Sequence, residues 1–192
     1  GDSLFGSYGV DAAVLAVLGG PDAFELLLRR NLVTGATVAL RRELADAAFP
    51  FPSAWVHDEW IAIVAAAHGR IVPLPQRLID YRQHGSNVIG AVSLTMRGKF
   101  SRLVEPGFER NRRLLERATQ LADWYATLPS AIPARRSAVD NKVHHERVRS
   151  SLSRHRLARI RAVLAEARTG RYREFGGGLQ DIARDLVQPL RD

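Results

Sequence analysis

Apolar residues along the chain follow two patterns, and the change comes near residue 95. In the first part, Asp22-Ala-Phe-Glu-Leu-Leu-Leu-Arg-Arg30 reads as a short helix. Asp22 can cap it, and the basic pair at its end suits the helix dipole. Asn31 to Leu40 follows, rich in β-branched residues. It predicts a buried strand in which Gly35 marks a close approach of backbone. Pro50 and Pro52 hold the chain extended before Trp55. Residues 58–68 predict a helix that opens on Asp58 and Glu59 and ends at Gly69. It is apolar nearly all round and is expected to be buried. Arg70–Pro75 and Gln76–Arg82 read as extended pieces broken by Pro73 and Pro75, and His84–Asn87 as a polar loop.

Beyond Ser93 the spacing becomes helical. Leu114, Leu115, Ala118, Leu121, Ala122 and Tyr125 share one helix face, and Pro129 and Pro133 bracket a linker. Val143, Val148, Leu152, Ile160, Val163 and Leu164 thread a long basic segment that stops near Gly170. Gly176–Gly178 predicts a turn, and Ile182, Leu186 and Val187 a last short helix. The fold class expected is therefore α/β, a partial sheet layer over 1–95 followed by a helical extension over 96–192. Two or three strands do not make a stable open sheet. The sheet is expected to be completed by residues outside this sequence.

Composition narrows the picture. The 192 residues are 46% hydrophobic and 25% charged, as in an ordinary globular protein. Cysteine is absent, which excludes disulfides, thiolate metal sites and thiol nucleophiles and fits a reducing compartment such as the cytoplasm. No apolar run approaches the roughly 20 residues of a membrane span. The sequence opens on Gly1 and its one methionine is Met96, so a native start is not expected at residue 1. The net charge of +8 is uneven. Residues 1–96 hold 7 Lys/Arg and 9 Asp/Glu, net −2, whereas residues 97–192 hold 21 and 11, net +10. Such asymmetry points to an anionic partner or to a solvated arginine-rich surface.

Three polar groups can carry chemistry. Trp55-Val-His57-Asp58-Glu59-Trp60 places a carboxylate at a helix start, where free N–H groups and the dipole favour negative charge. Its tryptophans offer flat surfaces of the kind sugars stack on. The same residues also read as a helix cap between two core aromatics. In Tyr81-Arg82-Gln83-His84-Gly85-Ser86-Asn87, Arg82 could contact a phosphate and neutral His84 a divalent cation, or the stretch is simply a polar loop. Thr34-Gly35 would let a ligand approach the backbone.

Taken in order, these groups resemble the second half of family 2 glycosyltransferases of the GT-A (Rossmann-like) fold, especially bacterial rhamnosyltransferase-like members. The stretches that carry the resemblance are Phe24 to Leu44, Phe51 to Ala67 and Leu78 to Gly90, with a weaker one over Arg159–Leu164 and Gly170–Arg173. The resemblance implies an inverting transfer from a nucleotide-diphosphate sugar to a glycan or lipid-linked acceptor. Asp58 would be the general base, Trp60 would shape the acceptor site, and Thr34 and Gly35 would lie near the donor sugar. Arg82 would support the loop or a phosphate, and His84 would help ligate Mg²⁺ or Mn²⁺. The strand-rich nucleotide-binding half of such enzymes, with its Asp-x-Asp-like motif, has no counterpart in this sequence. The 192 residues alone are therefore expected to lack tight donor binding and turnover.

A non-catalytic reading competes. Lys142, Arg147, Arg149, Arg154, Arg156, Arg159 and Arg161 could dock on anionic lipid or on nucleic acid. The segment lacks the interleaved aromatics that stack on single strands, which argues against nucleic acid. Peripheral attachment at the inner face of a membrane is compatible with the enzyme reading. Alternatively, the Val/Leu/Ile stripe of the tail would serve self-association into a homo-oligomer.

Overall fold

A computed structural model describes residues 9–76, 78, 107–129 and 131–188. Its backbone divides into two units. The first comprises residues up to 27, 31–51 and 56–95. The second comprises residues 28–30, 52–55 and 96 onward.

In the first unit, α1 runs over Ala12–Leu18 and α2 over Ala23–Arg29; the end of α2 groups with the second unit. Asp11 caps α1, its Oδ1 accepting the Val14 N–H at 2.9 Å. Helix α3 is Arg42–Ala48 and α4 is His57–His68. The expected all-round burial of α4 is met on most of its surface: Trp60, Ala62, Ile63, Val64 and Ala66 are buried. Phe24, Leu27, Leu32 and Ala48 are also core residues of this unit.

The expected sheet layer is not present. Every regular element among the described residues is helical, so the α/β, partial GT-A assignment is corrected to all-α. Asn31–Leu40 shows why. Its side chains favour strands, and Thr34 and Val38 do adopt extended backbone angles. A strand, however, is stabilised by a ladder partner, and no described segment supplies one. Local hydrogen bonds take over instead. Asn31 Oδ1 accepts the Val33 N–H at 2.9 Å while its Nδ2 donates to the Val33 carbonyl at 2.9 Å. Gly35–Thr37 then closes a 3₁₀ turn, with Thr37 Oγ1 donating to the Thr34 carbonyl at 2.8 Å. Residues 70–75 have no regular structure. Most of the second extended piece, 76–82, lies outside the described residues.

The second unit holds α5 (Gly107–Ala126), α6 (Pro133–Ser150), α7 (Arg156–Arg168), α8 (Arg171–Phe175) and α9 (Leu179–Val187). Helices α5 and α6 pack against each other, with Ala118, Leu121, Tyr125 and Val139 buried. Pro133 opens α6, where its missing N–H costs no helical hydrogen bond. A second cluster of Leu152, Val163 and Tyr172, flanked by Ala167, Ile182 and Leu186, joins α7, α8 and α9. Gly170 sits at φ +83 between α7 and α8, a left-handed angle that admits glycine without strain.

The basic residues that the sequence offers for docking are divided by the fold. Lys142, Arg149 and Arg159 turn inward. Arg149 Nε donates to Asp185 Oδ2 at 2.7 Å and Nη1 to Glu146 Oε2 at 3.2 Å, with both carboxylates buried. Tyr172 donates its hydroxyl to the same Asp185 oxygen at 2.8 Å. Arg159 Nη1 donates to the carbonyls of Asp185 and Gln188 at 2.9 and 2.8 Å, binding the C-terminal end of α9. Burial works against the charge of Arg149, but Asp185, Glu146 and Asp181 outweigh it and raise its pKa above the ordinary guanidinium value.

Candidate functional site

Two of the segments that the sequence singled out meet within the first unit. Asn31 fixes the entry to the loop, Thr34 is extended, and Gly35 opens the 3₁₀ turn. Helix α4 begins at His57, which puts Asp58 in its first turn. The two segments meet directly: the Gly35 N–H donates to Asp58 Oδ2 at 3.2 Å. Asp58 Oδ1 accepts the Glu59 N–H at 2.7 Å. Each carboxylate oxygen is thus held by one backbone donor and keeps a lone-pair direction available. Asp58 is half-buried, so a ligand can reach it.

Gly35 packs closely against the start of α4. A Cβ there would lie 2.8 Å from His57 Nε2 and 3.5 Å from Asp58 Cβ. The imidazole therefore lies over the glycine, exposed to solvent. His57 stood beside Asp58 in the sequence motif but carried no role there. The signal for it was its position, one residue before the carboxylate at the start of a helix.

The tryptophans are placed differently from a sugar platform. Trp60 is 1% exposed, and its indole N–H donates to the Ala48 carbonyl at 2.8 Å. It ties α3 to α4 and has no face open to an acceptor. Trp55 belongs to the second unit. Its indole N–H donates to the Arg117 carbonyl at 3.0 Å, and the Arg117 guanidinium covers its ring at 4.4 Å from the centroid. Arg82 and His84 lie outside the described residues. Among the described residues no three His, Asp or Glu side chains gather as a metal site would, so the site for Mg²⁺ or Mn²⁺ rests on His84 and the resemblance alone.

No protein-family model, curated protein or solved structure matches the chain.

Proposed function

We propose that Asp58 and the Thr34–Gly35 turn are the base-bearing part of an inverting glycosyltransferase. It would move a sugar from a nucleotide-diphosphate donor to a hydroxyl of a glycan or lipid-linked acceptor. The observation that supports this reading is the hydrogen bond from the Gly35 N–H to Asp58 Oδ2, which brings together two motifs 23 residues apart in the sequence. A carboxylate held by backbone donors on a rigid helix start is fixed in direction, as a general base needs to be. Asp58 takes the proton of the acceptor hydroxyl as that oxygen attacks the anomeric carbon. The bond from that carbon to the diphosphate oxygen breaks, and its electron pair leaves with the diphosphate. One in-line displacement inverts the anomeric centre. Thr34 and Gly35 bring backbone up to the carboxylate, and the exposed His57 imidazole over Gly35 borders the place where the sugar would enter. Trp60 acts indirectly, by fixing α4 against α3.

The complete protein encoded by the gene is the material to test. It is incubated with α-linked nucleotide-diphosphate sugars and lipid or glycan acceptors, and the product's anomeric coupling is read by proton NMR. A β-linked product is the expected result. An α-linked product, or no transfer from any donor, would refute the assignment.

A further inference from the structure

In α7, Leu157, Ile160 and Leu164 recur three and four residues apart and stand out from the fold, 82%, 37% and 42% exposed. Such spacing puts them on one stripe. The opposite side of the helix, Arg159, Val163 and Glu166, is buried. The stripe continues past the helix end. Leu164 and Leu179 line one open groove, and Leu179 at the start of α9 is 79% exposed.

Arginines edge this stripe. Arg156 stands one turn from Ile160, Arg161 one turn from Leu157 and Arg168 one turn from Leu164, while Arg173 lines the groove with Leu179. All four are exposed. The acids nearby are turned inward: Glu166, Asp181 and Asp185 are buried, and only Glu174 is exposed between 154 and 188. The fold has therefore spent its negative charge inside and left an apolar stripe with a cationic border.

We propose that this face of α7 and the start of α9 docks on an anionic lipid surface, the leucines and Ile160 entering the acyl boundary and the arginines meeting lipid phosphates. Long arginine side chains bury their stems and keep their heads at the phosphate level, as an interfacial helix requires. Two other occupants match less well. A symmetric pairing of two copies through this face would set the arginine borders against each other. A nucleic acid would leave the protruding leucines without apolar partners. The proposal is independent of the reaction assigned to Asp58.

Vesicle co-sedimentation of the full chain tests it. Vesicles of phosphatidylcholine with phosphatidylglycerol should bind the chain at least tenfold more tightly than phosphatidylcholine alone, and the difference should shrink with salt. Leu157→Gln with Leu164→Gln should weaken binding about tenfold or more. Arg156→Gln and Arg161→Gln should each weaken it about fivefold. Circular dichroism checks that these exposed substitutions leave the helices intact; the arginine pair serves if the leucine pair does not fold. Absence of binding to anionic vesicles would overturn the proposal, as would binding indifferent to the leucines, or tighter binding to duplex DNA than to vesicles. A dimer in sedimentation velocity that the leucine changes dissolve would assign the face to a second copy.

Discussion

At the scale of single residues, the site turns on how little space separates Gly35 from α4. Alanine at 35 would bring its Cβ against His57 Nε2, the far end of an exposed side chain that can swing away. Gly35→Ala is therefore expected to cost less than about 1 kcal/mol in urea unfolding. Its effect on sugar transfer should be larger than on stability, because the displaced imidazole lies beside Asp58. Gly35→Ala combined with His57→Ala should recover the stability lost, which a double-mutant cycle reads directly. Trp60 is a matter of packing. Trp60→Ala is expected to cost about 3–5 kcal/mol by the same unfolding measurement. A loss below about 1 kcal/mol would mean that the indole is not the core residue it is taken for.

At the scale of elements, the second unit is organised by buried ion pairs as much as by apolar contacts. Asp185 receives Arg149 and Tyr172 together, so Asp185→Asn removes the closest of the carboxylate partners of an arginine that is 1% exposed. A loss of about 2–4 kcal/mol is expected from chemical denaturation, since a buried charge loses its closest carboxylate and keeps Glu146. His145 adds a dependence on pH. Its Nδ1 lies 2.8 Å from Glu166, its Nε2 is buried without a partner, and Arg149 is among the charges around it. Burial lowers its pKa below the ordinary imidazole value, against the pull of Glu166 and Glu146. The unfolded chain therefore binds a proton here before the folded one does, and the stability is lost as pH falls below about 6.5. Asp181 acts in the same direction at lower pH. Its burial is outweighed by Arg149, the Gly177 N–H, Arg110 and Arg184, which hold its pKa below the usual carboxylate value. The urea midpoint should fall between pH 7 and pH 5, and His145→Gln should flatten that part of the curve.

Elements also show what could be read from sequence. The helices over 23–29 and 57–68 were legible because their acidic first turns and apolar bodies, and Gly69 at the end of the second, are local signals. The strand over 31–40 was misread because strand propensity is realised only beside a partner, and Asn31 and Thr37 supplied nearer hydrogen bonds. The basic segment was legible as helix but not as a surface. Nothing in its spacing said that Arg149 and Arg159 would face acids and carbonyls of α9, more than 25 residues further on.

At the scale of the whole molecule, the charge asymmetry acquires a structural form. Residues 97–192 carry net +10, and around α7 and α9 the acids Glu166, Asp181 and Asp185 are buried, which leaves the α7 face its cationic border. In the first unit, the order of the motifs singled out Gly35 and Asp58 separately; their hydrogen bond and the burial of Trp60 depend on where the loop and α3 pack against α4. The most direct measurement is the turnover and donor affinity of Asp58→Asn in the complete protein encoded by the gene. The account predicts a loss of about 10²–10⁴ in kcat, with nucleotide-sugar Kd by calorimetry and unfolding temperature nearly unchanged. Turnover retained at the wild-type level would contradict the role of Asp58 and with it the central reading of the site.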